Sequence, residues 1–124
     1  MSELVIKTVL SRLQLRDYQE QAVRAILAVY CDLTTVKVVS LPTGSGKTIV
    51  GVAVAMCLIR AGYKVLWTCK SWRLLRMAVD EFKKHFPESQ HFLRRIGGAS
   101  ERFELGHLPD GPGGQIYFTT IQSW

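Results

Sequence analysis

The residues with the clearest capacity for chemistry lie in the segment TGSGKT, which runs from Thr43 to Thr48. Its glycines let successive backbone N–H groups converge on one anion, while the lysine and the final hydroxyl can contact phosphate oxygens and Mg²⁺. The segment therefore predicts a phosphate-binding loop for a nucleoside triphosphate, although the strict pattern has a glycine where Leu41 stands. An ordinary glycine turn between a strand and a helix is the alternative. The expected cofactor-binding residues are Thr43, Gly44, Ser45, Gly46, Lys47 and Thr48, with Thr48 as the ligand of Mg²⁺.

Two polar residues upstream of this loop, Arg16 and Gln19, carry side chains that could recognise a purine base. The carboxamide of Gln19 can donate and accept hydrogen bonds at once, which matches the N6 and N7 edge of adenine. The guanidinium of Arg16 can stack on the ring. A solvated helix residue is the alternative interpretation of Gln19, but its place before a phosphate loop favours a binding role.

Positive charge is concentrated in the middle of the chain. The net charge of the 124 residues is +6, and residues 60–102 alone hold ten basic and four acidic residues. Lys70, Arg73 and Arg76 surround Trp72 at an expected strand-to-helix junction. Cations beside an aromatic ring are typical of a surface that follows the phosphates of a nucleic acid. Solvated surface positions are the alternative for each cation taken singly.

The hydrophobic pattern predicts the elements that must position these residues. Apolar spacings of three and four indicate amphipathic helices, and short β-branched runs indicate strands buried on both faces of a parallel sheet. Ser71 is expected to cap one helix and Gly62 to end another. This order indicates a three-layer α/β fold with a mainly parallel sheet. The predicted elements are helix 15–30, strand 36–41, helix 47–60, strand 64–69, helix 71–86, strand 91–96, loop 97–114 and strand 115–121.

The composition excludes several classes of protein. With 48% apolar and 21% charged residues, the chain is typical of one globular domain and unlike disordered or collagen-like sequences. Cys31, Cys57 and Cys69 are odd in number and lack metal-binding spacing, so neither a disulfide framework nor a zinc site is expected. The longest apolar run, residues 49–59, is shorter than the roughly 18 residues that span a bilayer. We therefore expect a cytoplasmic protein with no membrane partner.

The segment LPTGSGKT at residues 41–48 resembles motif I of superfamily 2 helicases, the DEAD/DEAH-like proteins. Within this superfamily, the segment is most similar to the branch that includes the motor subunits of type I and type III restriction enzymes and the excision-repair helicases. The upstream segment LRDYQEQAV is similar to the adenine-recognition segment of that branch, with Arg16 and Gln19 in its R-x-x-Q arrangement. The resemblance implies the first part of a RecA-like domain that binds ATP and Mg²⁺.

Two later segments extend the resemblance toward nucleic-acid binding. Residues 65–82 are similar to motif Ia, in which the end of a strand and the start of a helix hold the nucleic-acid backbone. Trp72 departs from the small or polar residue usual there, and the family's Gln after the leucines is absent. Residues 115–124 are similar to motif Ic, whose Thr-Thr strand touches a phosphate. The resemblance implies nucleic-acid contacts, with DNA favoured over RNA, at Lys70, Ser71, Trp72, Gly97, Gly98 and Thr120.

The acidic residues after Thr48 do not form the D-E-x-H or D-E-x-D pattern, the Walker B motif with which the family holds Mg²⁺ and orients water. We therefore expect no catalytic residue in residues 1–124 and no efficient ATP hydrolysis by this chain alone. The resemblance implies the N-terminal portion of a helicase ATP-binding domain, without the second domain and with further domains or subunits as partners. The alternatives are a non-catalytic nucleotide- or nucleic-acid-binding module, a truncated reading frame, and a P-loop kinase, for which Arg16 and Gln19 would be coincidences.

Overall fold

The computed structural model describes residues 2–29, 47–91, 93–95, 106–107 and 115–120. The chain divides into two compact units, Met1–Cys57 and Leu58–Trp124. Each unit is described by itself below. The predicted strand 36–41 and the glycine-rich turn up to residue 46 lie outside the described residues.

The first unit begins with two helices, α1 (Glu3–Leu10) and α2 (Asp17–Leu27). The hydroxyl of Ser2 caps α1 by accepting a hydrogen bond from the backbone N–H of Leu4 at 3.2 Å. Sequence reasoning had no prediction for α1. The predicted helix 15–30 is confirmed over Asp17–Leu27, but it begins later than expected because Arg16 has extended backbone angles and serves as the N-cap.

An ion-pair network joins α1 to α2. The guanidinium of Arg24 on α2 contacts Glu3 on α1 at 2.8 Å and Glu20 on its own helix at 3.1 Å. The hydrogen bonds that Arg24 donates to these carboxylates, first to Glu3 and then to Glu20, raise the pKa of Arg24 above its ordinary value. The buried apolar residues of this segment are Ile6, Val9, Leu10, Leu13, Ala22, Val23 and Leu27.

Helix α3 (Lys47–Arg60) has the bounds predicted from the sequence. It ends at Gly62, which has a φ of +90° that residues with a Cβ rarely adopt. The N–H of Gly62 donates to the carbonyl of Ile59 at 2.9 Å, and the N–H of Tyr63 donates to that of Leu58 at 3.0 Å. These two bonds form a Schellman motif and confirm the predicted glycine cap.

In the described part of the second unit there are four strands: β1 (Lys64–Cys69), β2 (Leu93–Arg95), β3 (Gly106–His107) and β4 (Gln115–Thr120). They form one sheet in the order β1-β4-β2-β3, and every described pair is parallel. The α/β class with a mainly parallel sheet is therefore confirmed. Two boundary predictions are wrong: β3 lies inside the predicted loop 97–114, and residues 87–91, where the strand 91–96 was to begin, form a 3₁₀ turn.

Strand β1 is not buried on both faces as its β-branched pattern predicted. One of its faces is half-buried, and the other is exposed, with Leu66 at 46% exposure. The half-buried face includes Trp67, whose ring lies 5.4 Å from that of the buried Phe82. Apolar composition alone does not show which faces of a strand other elements cover.

The core of the second unit is an aromatic cluster between the sheet and α4 (Trp72–His85). Phe82 on α4 is fully buried, and its ring meets Trp67 at 5.4 Å and Phe118 at 5.7 Å, both edge to face. Trp67 and Phe118 are partners in the register of β1 and β4, with ring centroids 6.1 Å apart. Edge-to-face pairs of this kind stabilise beyond the area that they bury.

We predict that Phe82→Ala lowers the free energy of unfolding by about 3–5 kcal/mol, because it removes a fully buried ring and leaves a cavity among aromatic neighbours. Urea unfolding followed by tryptophan fluorescence measures the change. Met77→Ala is the control, since Met77 lies on the same helix and is 57% exposed. Equal losses in the two variants would contradict the assignment of this core.

Candidate nucleotide and nucleic-acid sites

The predicted base-recognition residues lie together at the start of α2. Gln19 is only 7% exposed, so its interpretation as a solvated helix residue is wrong. Its side-chain Oε1 accepts a hydrogen bond from the backbone N–H of Arg16 at 2.8 Å, while the N–H groups of Gln19 and Glu20 both donate to the carbonyl of Arg16 at 3.0 Å. The first turn of α2 is thus held both by the side chain of Gln19, which accepts from the backbone of Arg16, and by backbone hydrogen bonds to the carbonyl of Arg16.

This arrangement orients the carboxamide of Gln19. A carboxamide oxygen has two acceptor sites, so a bond to the backbone of Arg16 does not exhaust its capacity. The side chain of Arg16 is exposed and leaves the same turn. A flat guanidinium and an oriented amide on one turn are suited to stacking on a base and to bonding its edge. Sequence reasoning identified both residues but missed their mutual hydrogen bond.

The predicted phosphate-binding residues fall partly outside the described residues, since Thr43, Gly44, Ser45 and Gly46 lie there. Helix α3 begins at Lys47, directly after these glycines, and Thr48 is exposed in its first turn. The start of a helix carries N–H groups without intrahelical partners and a positive potential, both of which favour a phosphate. An exposed hydroxyl in this turn fits the donor set that Mg²⁺ prefers. Within the described ranges, no group of three His, Cys, Asp or Glu residues is placed to hold a metal ion.

The predicted nucleic-acid contacts gather at the carboxyl edge of the sheet. Because β1 and β4 run parallel, the last residue of β1, Cys69, stands beside Thr120, the last residue of β4. Lys70 and Ser71 follow β1 directly and are exposed. Thr119, the residue before Thr120, is fully buried.

Of the remaining predicted contacts, only Trp72 lies within the described residues. Trp72 begins α4 and is half-buried, so it belongs neither to the full core nor to the open surface. Gly97 and Gly98 lie outside the described residues, and in the sequence they follow soon after Arg95, where β2 ends. The parallel arrangement directs the carboxyl end of β2 to the same edge as those of β1 and β4.

The first turn of α4 has an unusual distribution of charge. Ser71 caps it, with Oγ accepting a hydrogen bond from the N–H of Leu74 at 3.3 Å. The turn contains no acidic residue, while Lys70 precedes it and Arg73 lies within it, both exposed. Cations near a helix N-terminus oppose the helix dipole and lower helix stability. An anion bound at this turn would reverse that penalty, so the arrangement suits a phosphate.

We predict that Ser71→Ala lowers the free energy of unfolding by about 1 kcal/mol through loss of the cap. Hydrogen exchange at the first turn of α4 should accelerate in parallel, because the N–H of Leu74 loses its acceptor. Ser71→Asn is the matched control, since asparagine also caps helices well. If the alanine and asparagine variants matched the wild type, the cap would have no energetic role.

Comparison with known proteins gives one family. The family model described as "Type III restriction enzyme, res subunit" matches residues 12–124. This family has a superfamily 2 helicase-type domain that binds ATP. Searches of the curated proteins and of the solved structures find no match. In the part of the chain that the structure describes, no helix is long and apolar enough to cross a membrane.

Proposed function

Because the chain belongs to the family of type III restriction enzyme res subunits, we propose that it is the ATP- and Mg²⁺-binding front part of a DNA-dependent motor. The observation that carries this proposal is the start of α3 at Lys47, directly after Thr-Gly-Ser-Gly, with Thr48 exposed in the first turn. A glycine-rich turn that runs into a helix is the arrangement that a triphosphate requires.

Each residue of the loop has a role in this proposal. Backbone N–H groups of residues 43–46 would surround the β- and γ-phosphates, Lys47 would reach their oxygens, and the hydroxyl of Thr48 would be a ligand of Mg²⁺. Bound Mg²⁺ neutralises charge on the phosphate oxygens. The turn at the start of α2 takes the base, with the guanidinium of Arg16 stacked on adenine and the carboxamide of Gln19 at its N6 and N7 edge.

We propose that DNA, rather than RNA, binds at the carboxyl edge of the second unit's sheet. Support comes from the cations Lys70 and Arg73 at the acid-free first turn of α4, where a phosphate would offset an unfavourable interaction with the helix dipole. The proposed contacts with the nucleic-acid strand are Lys70, Ser71, Trp72, Gly97, Gly98 and Thr120.

The described acidic residues after Thr48 support the proposal that hydrolysis needs groups from elsewhere. Asp80 is an exposed residue of α4, Glu81 contacts His85 at 3.3 Å, and Glu88 contacts Arg60 at 3.6 Å. We propose that the carboxylates that orient the attacking water, and the second domain that closes on ATP, come from further domains or subunits of a cytoplasmic motor. Residues 1–124 are, in this proposal, the N-terminal portion of its ATP-binding domain.

We predict that Lys47→Ala lowers the affinity for ATP by roughly 10- to 100-fold, because one charge-assisted contact with the phosphates is lost. Equilibrium dialysis with labelled ATP and Mg²⁺ measures the change. The matched control is Lys64→Ala, which removes an exposed lysine at the start of β1. Unchanged ATP binding in the Lys47 variant would rule out the proposed phosphate loop.

We predict that Lys70→Ala weakens DNA binding equally for different sequences and reduces the slope of log K against log salt by about 1, since one phosphate contact is removed. Titration of labelled DNA at several salt concentrations gives the slope, and the same titration with RNA tests the preference. Lys84→Ala, an exposed lysine near the other end of α4, is the control. If Lys70→Ala and the wild type had the same slope of log K against log salt, Lys70 at the carboxyl edge of the sheet would not contact DNA.

A further inference from the structure

Helix α1 lies outside the segment that matches the family, yet it is bonded to α2, the helix whose start carries the proposed adenine site. The family match begins at residue 12, whereas α1 covers Glu3–Leu10. Its contact with α2 is made by Glu3 and Arg24, which are 21 residues apart in the chain. Nothing in the family resemblance accounts for this contact.

The geometry around Arg24 is specific. Its Nη1 lies 2.8 Å from Oε1 of Glu3 and donates to Oε2 of the same carboxylate at 2.9 Å. Its Nε donates to Oε2 of Glu20 at 3.1 Å. One guanidinium therefore bridges a carboxylate in the first turn of α1 and a carboxylate in the first turn of α2. We call Glu3, Glu20 and Arg24 the Arg24 clamp.

The Arg24 clamp is connected to the base-recognition turn through Glu20. Glu20 follows Gln19 in sequence, and the N–H groups of both residues donate to the carbonyl of Arg16 at 3.0 Å. A constraint on Glu20 therefore also restrains the backbone that presents the guanidinium of Arg16 and the carboxamide of Gln19.

The exposure of the clamp argues against a purely stabilising role. The side chains of Arg24, Glu3 and Glu20 are 36%, 53% and 48% exposed. Ion pairs this open to water contribute little to the free energy of unfolding, because solvent and salt screen them. An effect of this small free energy on the neighbouring turn would therefore appear as a modest change in nucleotide preference rather than in overall stability, since a planar guanidinium that holds two carboxylates favours one relative position of the groups that carry them.

We propose that the Arg24 clamp makes α1 a positioning element for adenine recognition, with Glu3 and Arg24 as positioning residues that set the preference for ATP over other nucleoside triphosphates. This inference rests on the proposed binding of adenine by Arg16 and Gln19. It extends the nucleotide site to residues that precede the family match.

The test compares the dissociation constants of ATP and GTP for the full chain, because both nucleotides offer the same triphosphate and differ in the base edge. The variants are Glu3→Gln, Arg24→Gln and the double variant. The Gln19→Ala variant measures the ratio of ATP affinity to GTP affinity that remains when the proposed base contact is removed. Asp17→Asn is the matched control, since it removes an exposed carboxylate from the first turn of α2 without touching the clamp.

We expect Glu3→Gln and Arg24→Gln to reduce the ratio of ATP affinity to GTP affinity by about two- to fivefold. The affinity for GTP should stay unchanged in both variants. The Asp17→Asn variant should keep the affinity ratio of the wild type. The double variant should have the same affinity ratio as Arg24→Gln alone, because both changes break the same ion-pair bridge. At about 1 M salt, which screens the ion pair, the affinity ratio of Glu3→Gln should approach that of the wild type.

Three results would overturn the inference. Equal losses of ATP and GTP binding in Glu3→Gln would assign the clamp an ordinary structural role, since partial unfolding affects both nucleotides alike. An unchanged ratio in the clamp variants, with a reduced ratio in Gln19→Ala, would reject the clamp and leave adenine recognition intact. Equal ratios in wild type and Gln19→Ala would reject adenine recognition itself, and the role of the clamp with it.

Discussion

The parallel ladder between β1 and β4 is the constraint on which the second unit depends. Its register pairs Lys64 with Gln115 at one end and Cys69 with Thr120 at the other. A shift by one residue would turn every side chain of a strand to the opposite face, so this register alone brings Trp67 and Phe118 to the face that Phe82 covers. The same register brings the start of α4 and the end of β4 to one edge of the sheet. The core and the proposed nucleic-acid surface are thus two consequences of one set of hydrogen bonds.

The charged residues at most of the described helix ends match the helix dipole, and the start of α4 does not. Helices α1 and α2 carry acidic residues in their first turns, and α4 carries Lys83, Lys84 and His85 in its last turn, as the helix dipole favours. The first turn of α4 departs from this rule. Its cations lower the stability of the helix by itself and raise its attraction for an anion. A phosphate at the proposed nucleic-acid surface would offset this loss of stability.

The start of α2 combines a structural bond with a proposed recognition role in one side chain. Gln19 closes the first turn through the N–H of Arg16, and the same bond orients the carboxamide for a base. Sequence reasoning missed this because the usual capping pattern begins with a serine or threonine, whereas arginine stands at the N-cap here. It also missed α1, although the Ser2 cap is a local signal. The ion pair between Glu3 and Arg24 appears only when the two helices are placed together.

Local signals in the sequence were sufficient to determine the glycine-capped helix α3, the serine-capped helix α4, strands β1 and β4 and the parallel class of the sheet, because caps and hydrophobic periods act over a few residues. The family resemblance, carried by motifs of the same local kind, agrees with the match over residues 12–124. Only the tertiary structure decided that β1 has one exposed face and pairs with β4, that residues 106–107 pair with β2, and that Arg24 bridges two helices. These features depend on contacts between residues far apart in the chain, and such contacts are set by the packing of whole elements rather than by any one segment.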